Sequence, residues 1–257
     1  MIFAAGWLAA ALACTSANTK PPEENPILAD LVDYRTGLAL LREGRVDEAM
    51  IVLRRAVVSS PRDPNAPNAL GLALLYKKDY AAAEKAFTQA LKLDPDFVQA
   101  NNNRGVCRME ADRFDDAAAD FEAVLSGPST AEKSNAHFNL GLLAERRGNW
   151  EDAEREFSLV LSTDPRYTKA ARERGFARVR REDFRGALED LLSYLKDDPN
   201  EPVANYNAAL CLLTMRQRDV AARYMERVVA AAPDSDEGHR ARRFLEGEDA
   251  IAGKPRP

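Results

Sequence analysis

Residues 134–167 read SNAHFNLGLLAERRGNWEDAEREFSLVLSTDPRY. Gly141 stands twelve positions before Ala153 and sixteen before Phe157, and Pro165 comes near the end of the stretch. Ala153 and Phe157 are four residues apart, so they share one face of a helix. A proline cannot continue a helix, and a glycine without a Cβ lets a second helix approach closely. The stretch therefore predicts a hairpin of two helices that ends near Pro165.

The same pattern recurs along most of the chain. Its period is about 34 residues, the length of a tetratricopeptide repeat, and the pattern resembles that family. The glycine position is held by Gly37, Gly71, Gly105, Gly141, Gly175 and Ala209, and the alanine position by Ala49, Ala83, Ala117, Ala153, Ala187 and Ala221. The large apolar residue is Leu53, Phe87, Phe121, Phe157, Leu191 and Met225, and the closing prolines are Pro61, Pro95, Pro165, Pro199 and Pro233.

Six repeats are predicted, with the limits 30–63, 64–97, 98–133, 134–167, 168–201 and 202–235. Only the third departs from the common length, through two extra residues near Ser126–Ser129. The resemblance implies an all-α fold, a right-handed superhelical solenoid. Residues 236–247 predict a short capping helix containing Phe244 and Leu245, because the end of a solenoid has to be covered. Residues 248–257 are expected to be a disordered tail.

Composition narrows the classes of function. With 46% apolar, 30% charged and 7% aromatic residues, the chain suits stacked amphipathic helices. A net charge of −5 without a long basic run argues against nucleic acid as a partner. The three cysteines and two histidines lack metal-binding spacing. We expect no metal, no cofactor and no catalytic residue, which makes an enzyme or an enzyme subunit the least favoured class.

Residues 1–13 are predicted to form a lipoprotein signal peptide. The apolar run 2–13 has the length of a signal-peptide core and is too short to span a membrane. Ala11-Leu12-Ala13-Cys14 resembles a lipobox, which would make Cys14 the acylated residue; an ordinary cleaved signal is the alternative. Residues 14–29, polar and rich in proline, predict an extended tether. Because Thr15 is not the aspartate associated with inner-membrane retention, we expect a lipid-anchored protein on the periplasmic face of the outer membrane.

Single histidines and cysteines in the repeats are expected to serve packing. His137 holds a position that usually carries a bulky core residue, so we expect it to fill the core. Cys107 and Cys211 share a small-residue position three repeats apart, too far for a disulfide. They are predicted to be buried free thiols.

Repeats three and five depart from the pattern in the same way. Arg104 and Arg174 stand where other copies are mostly apolar, and only these two copies carry an aspartate sixteen residues later, Asp120 and Asp190. Because a buried unpaired guanidinium is costly, we predict that each arginine pairs with its own aspartate. The alternative is an arginine reserved for an anionic ligand.

Positions 2, 5, 9 and 12 of each first helix are expected to line a concave surface. In repeats one to three they and their neighbours predict an apolar groove with amides that could bond an extended backbone. The predicted partner-binding residues are Tyr34, Leu38, Leu41, Asn65, Asn68, Leu72, Leu75, Tyr76, Asn102, Val106 and Met109. The apolar row could instead pack between neighbouring first helices. In repeat five, Lys169, Arg172 and Arg180 form either a basic patch for an acidic segment or an ordinary solvated face.

Three further features resemble the type IV pilus biogenesis lipoproteins, the PilF, PilW and Tgl pilotins. They are Asn101–Gly105 (NNNRG), the insertion at Pro128 and Asn139–Leu142 (NLGL). Six repeats behind a lipobox is the layout of that family. The resemblance implies a monomeric outer-membrane pilotin, anchored by its N-terminal acyl chains, that binds secretin subunits and promotes their assembly. The alternative is a periplasmic scaffold for another envelope assembly, such as polysaccharide export or cell-wall synthesis.

Overall fold

The computed structural model describes residues 28–248, and the side chains from Val32 onward. The predicted signal peptide, Cys14, most of the tether and the tail after residue 248 lie outside this range. The described part is helical and contains no strand. Its helices are α1 (Leu28–Arg42), α2 (Val46–Ser59), α3 (Asn65–Tyr76), α4 (Tyr80–Leu93), α5 (Val98–Glu110), α6 (Phe114–Leu125), α7 (Thr130–Arg146), α8 (Trp150–Thr163), α9 (Thr168–Arg180), α10 (Phe184–Tyr194), α11 (Pro202–Thr214), α12 (Arg218–Ala231) and α13 (Asp236–Leu245).

The chain forms two compact units, which divide within α7 between Ala136 and His137. In the first unit, α1 to α6 form three hairpins, and the second helix of one hairpin packs against the first helix of the next. In the second unit, α9 to α12 form two hairpins in the same manner, with α8 against α9. The predicted stacking of helix pairs is thus confirmed within each unit.

In the first five hairpins the repeat's glycine lies against the large apolar residue sixteen positions later, which is phenylalanine in three of them and leucine in two. A Cβ added to Gly71 would lie 2.5 Å from Cε1 of Phe87, and one on Gly141 would lie 2.6 Å from Cε1 of Phe157. Phe87 and Phe157 are fully buried. The glycine thus makes room for the large residue sixteen positions later, and this spacing sets how closely the two helices pack.

The turn within every hairpin contains a residue in the left-handed backbone region. These residues have φ between 57° and 74° and share one position of the repeat: Gly44, Lys78, Asp112, Gly148, Glu182 and Arg216. In the second repeat the N–H of Asp79 then donates to the carbonyl of Leu74 (3.0 Å), which closes the C-terminus of α3. Sequence reasoning missed this turn, because only two of the six residues are glycine.

The region of the two extra residues differs from the other repeats in the lengths of its helices. α6 has 12 residues and ends at Leu125, whereas α7 has 17 and begins at Thr130, before the predicted limit between the third and fourth repeats at 133 and 134. The additional length thus lies in the first turns of α7.

The capping helix is present as α13, beginning after Ser235 and ending at Leu245. The hydroxyl of Ser235 accepts a hydrogen bond from the N–H of Gly238 (2.9 Å). Phe244 and Ala241 are buried in one cluster with Leu212 and Met225 of the sixth repeat. The helix therefore covers apolar surface that a seventh repeat would otherwise cover.

Candidate partner-binding surface

The first helices of consecutive repeats lie side by side within each unit. In the first unit α3 contacts both α1 and α5, and in the second unit α9 contacts α11. Positions 2, 5, 9 and 12 of these helices follow this side, which we call the first-helix surface. It is the part of the fold where the sequence places partner-binding residues.

The apolar row on this surface is packed, so the prediction of an open apolar groove is wrong. Leu72 and Met109 are 0% exposed, and three more of the predicted residues are also buried: Leu41, Leu75 and Val106. Apolar residues at these positions are compatible both with an open groove and with packing between helices. In the structure they are buried, so they pack between helices. These five residues stabilise the stack and cannot touch a partner without a rearrangement.

Tyr76, Asn65 and Tyr34 remain accessible on the surface of the first two repeats. Tyr76 is 45% exposed at the end of α3, and Asn65 is exposed at its beginning. Tyr34 is half-buried; burial raises its pKa, as does the charge of Asp63. Leu38 is also half-buried. These side chains could make polar and aromatic contacts with a partner.

The asparagines divide into an internal and an external group. Asn68 is buried, and its side-chain oxygen accepts a hydrogen bond from the amide of Asn103 (3.0 Å), which joins α3 to α5. The amide of Asn65 donates to Asp63 Oδ1 (2.7 Å) at the surface. Asn102 is half-buried and already has an interaction within the protein. Asn68 therefore serves the fold, contrary to its predicted role in bonding a partner.

The predicted pair of Arg104 and Asp120 is confirmed. Nε of Arg104 donates to Oδ2 of Asp120 (3.0 Å), and Nη2 donates to Oδ1 (2.6 Å). The sequence did not indicate that Arg108 also donates to Asp120 (2.8 Å) and binds Glu84 of the preceding repeat (2.8 Å). The hydrogen bonds from Arg108 and Arg113 hold the pKa of Glu84 below its usual range although burial raises it. The group, the first ion cluster, joins α4, α5 and α6.

The second unit contains the same arrangement, the second ion cluster. Arg174 binds Asp190 through two hydrogen bonds (2.8 and 2.7 Å), as predicted. Arg178 donates to Asp190 (2.8 Å) and to Glu154 (2.9 Å). Each of these residues stands seventy positions after its counterpart in the first cluster. Because the arginines already bind carboxylates, the geometry favours a structural role over an anion site.

The basic patch predicted in repeat five is largely neutralised. Arg172 forms an ion pair with Glu173, and the guanidinium of Arg180 lies 5.3 Å from the ring centre of Trp150. Of these three basic residues, Lys169 alone is exposed, and Arg172 and Arg180 are partly buried. Sequence reasoning missed Glu173, which is 7% exposed, because an acidic residue next to an arginine on a helix is ordinarily solvated.

The predicted role of His137 differs from the one in the structure, whereas the prediction for the two cysteines is confirmed. His137 is partly buried, and its Nδ1 lies 2.8 Å from Glu156 Oε2, so it is a hydrogen-bonded residue instead of a core filler. Cys107 and Cys211 are buried free thiols, as predicted. Burial raises the pKa of each thiol to about 12, which makes both unreactive at neutral pH.

Within residues 28–248 no three metal-ligating side chains converge, and no helix is both long and apolar enough to cross a bilayer. The described residues form packed helix pairs with exposed side chains on their surface. The fold is a helical repeat scaffold for contacts with other proteins. The tetratricopeptide repeat family model matches residues 28–67, 68–134, 108–168 and 172–236, and the chain belongs to this family.

Solved structures of the same fold include two proteins connected with type IV pili. One is PilF of Pseudomonas aeruginosa, with 20% identity and a TM-score of 0.77 over 84% of this chain and 97% of that one. The other is PilW, described as a widely conserved type IV pilus biogenesis factor, with 20% identity and a TM-score of 0.75 over 84% and 99%. At this identity the likeness establishes the fold alone.

Part of the chain also matches segments of longer proteins in sequence. Protein FlbA of Caulobacter vibrioides is 32% identical over 50% of this chain and 22% of its own length. The DnaJ protein P58IPK homolog of Arabidopsis thaliana is 28% identical over 47% and 28%. The chain thus spans about a quarter of these relatives, as expected where the shared part is the repeat.

Proposed function

We propose that the protein is a pilotin, an outer-membrane lipoprotein that binds type IV pilus secretin subunits and promotes their multimerisation. The proposal rests on the structural similarity to PilF and PilW, measured by the TM-score and by the share of each chain that is covered. Almost the whole of each of those chains is covered, which fits a protein of the same number of repeats. YrrB and MamA match this chain with lower TM-scores.

The membrane anchor belongs to the same proposal. The lipobox-like sequence before Cys14 and the proline-rich segment after it would hold the repeats on a tether at the membrane. Acyl chains contribute roughly 0.8 kcal/mol per buried methylene, and several chains together anchor a protein far better than one.

The partner surface in this proposal comprises Tyr34, Leu38, Asn65, Tyr76 and Asn102. Aromatic rings and amides can contact an unassembled subunit whose strand edges are not yet paired. The protein would cover such an edge until neighbouring subunits replace it in the ring. Asn102 would contribute only by exchanging its present interaction for one with the partner.

The experiment is co-expression of the full chain with a type IV pilus secretin in cells that lack their own pilotin, followed by gel analysis of secretin multimers. Tyr76→Ser combined with Asn65→Ala should reduce the multimers, because it removes an exposed ring and an amide without touching the core. Val58→Ser is the matched control, since Val58 is 80% exposed on a second helix.

Two results would oppose the proposal. If the chain leaves secretin multimers unchanged although it reaches the outer membrane, the pilotin function is wrong, and a scaffold for another envelope assembly becomes the better hypothesis. If the Val58 control reduces multimers as much as the double variant, the surface is wrongly placed.

A further inference from the structure

One side of α1 is exposed where the other first helices are covered. Val32, Arg35 and Ala39 follow at spacings of three and four residues, which places them on one side of the helix, and all three are exposed. In the next five repeats the residue equivalent to Ala39 is buried: Ala73, Cys107, Leu143, Ala177 and Cys211. The thiol of Cys107 lies 3.3 Å from the carbonyl oxygen of Tyr80, at the start of the preceding second helix. Among the described residues α1 has no preceding helix, so this side of it remains accessible.

The exposed surface continues from α1 onto α2. Nη2 of Arg55 lies 2.9 Å from Oδ1 of Asp33, and this ion pair joins the two helices. On α2, Ile51 is 63% exposed and Val58 is 80% exposed, and Arg54 between them is also exposed. Their spacing puts these three side chains on one side of α2. We call the following exposed residues the repeat-one surface: Val32, Arg35, Ile51, Arg54, Val58 and Arg62.

The repeat-one surface carries positive charge that the described residues do not balance. Arg35, Arg54 and Arg62 have no ion-pair or side-chain hydrogen-bond partner among the residues that the structure describes. The described acidic side chains of α1, α2 and the turn between them are all engaged in ion pairs: Asp33 with Arg55, Asp47 with Lys77, and Glu43 and Glu48 with Arg45. Three guanidinium groups are thus available to anionic groups outside the chain.

Exposed aliphatic side chains beside these arginines suit a bilayer that contains anionic phospholipids. Arginine can bind the phosphate of a headgroup, and valine or isoleucine can enter the boundary between headgroups and acyl chains. The place of the surface along the chain also fits. Residues 15–27 join Cys14, the proposed site of acylation, to the start of α1. Such a segment spans at most about 45 Å when fully extended, so an anchored chain holds the repeat-one surface near the bilayer.

We propose that the repeat-one surface binds the headgroups of anionic phospholipids, so that the first repeat lies against the membrane. The inference rests on the lipid anchor in the proposed function, and it adds a second membrane contact and an orientation. The acyl chains hold the protein to the bilayer, and the arginines determine which side of the first repeat is turned toward it.

The test measures co-sedimentation of the full chain carrying Cys14→Ala, which cannot be acylated, with lipid vesicles. Vesicles of phosphatidylcholine alone are compared with vesicles of phosphatidylcholine and phosphatidylglycerol. Because residues 1–13 are apolar and could insert into either bilayer, the readout is the difference between the two kinds of vesicle. The protein should prefer the anionic vesicles, and high salt should remove the preference.

Arg35→Gln combined with Arg54→Gln should weaken binding to the anionic vesicles about tenfold or more, because each basic residue near such a surface adds to the attraction. Arg223→Gln combined with Arg240→Gln is the matched control. It removes the same charge from exposed positions in α12 and α13. Binding of this control to the anionic vesicles should stay close to that of the parent.

Three results would overturn the inference. They are equal binding to the two kinds of vesicle, equal losses in the two double variants, and a dimer in analytical ultracentrifugation that dissociates when Arg35 and Arg54 are replaced. The last result would assign the surface to a second copy of the chain. Fractionation and secretin multimers of the acylated protein are scored separately. An absent lipid preference with normal multimers refutes only the repeat-one surface, whereas a lipid preference without any multimers refutes only the pilotin function.

Discussion

At the scale of single residues, Asp120 is a buried acceptor for two arginines. The residue is 3% exposed, and its carboxylate accepts hydrogen bonds from Arg104 and Arg108. Asp120→Ala leaves the guanidinium of Arg104 half-buried without its acceptor, so we expect the free energy of unfolding to fall by about 3–5 kcal/mol in urea denaturation. Asp116→Ala, which removes an exposed partner of Arg113, should change it by less than about 1 kcal/mol. Equal losses in the two variants would contradict the importance of the buried cluster.

The sequence predicted the contact of Arg104 with Asp120 because an arginine at an apolar position needs a partner. It did not predict Arg108, since the position of Arg108 on the helix tolerates a solvated side chain. Glu84 comes from the preceding repeat, and its part in the cluster follows only from how the two repeats pack. The repeat pattern thus identifies Arg104 as a residue that needs a partner when buried. It does not identify Arg108 and Glu84, which complete the cluster.

Glu145 predicts a pH dependence of stability. Burial raises its pKa to about 9 in the folded protein against an ordinary value of 4.5, so between these values the folded state holds a proton that the unfolded state has released. The free energy of unfolding should therefore decrease as pH rises through this window. Glu145→Gln, which is always neutral, should lack this decrease and show a growing advantage in Tm over the parent toward about pH 9.

Thermal unfolding at several pH values checks this expectation, with Glu189→Gln as the exposed counterpart. A Tm difference between Glu145→Gln and the parent that stays constant from about pH 5 to about pH 9 would show that Glu145 ionises normally.

At the scale of the helix hairpin, the left-handed turn residue is a place where the protein can be stabilised. Lys78 has φ 61°, which is strained for a residue with a Cβ. Lys78→Gly should raise the free energy of unfolding by about 0.5–1 kcal/mol. Gly148→Ala is the reciprocal change: a Cβ there meets no atom within 4 Å, so the backbone alone should lower stability by a similar amount. Urea denaturation of both variants is the measurement, and changes of the same sign would contradict the account.

The hairpins were predictable because glycine, alanine and a large apolar residue return at fixed spacing. The turn between the helices was not, since a lysine, an aspartate, a glutamate and an arginine occupy four of its six left-handed positions. The burial of Leu72 and Met109 was also not predictable. The contact between neighbouring first helices and an open groove both require apolar residues at these positions.

At the scale of the whole molecule, the proposed membrane anchor at Cys14 can be tested by cell fractionation. Cys14 lies outside the described residues, and its acylation remains a prediction from the lipobox-like sequence. Cys14→Ala should release the protein from the outer-membrane fraction on cell fractionation, while the helicity of the repeats stays unchanged. A variant that still fractionates with the outer membrane like the parent would show that Cys14 is not the anchor.

The two ion clusters give the molecule a second structural period. Glu84, Arg104, Arg108 and Asp120 recur seventy positions later as Glu154, Arg174, Arg178 and Asp190. The helix hairpins return with every repeat, whereas this set of contacts returns after two repeats and joins two successive repeats each time. A single-repeat deletion between Glu84 and Asp120 would therefore separate partners that the deletion of a complete pair of repeats would remove together.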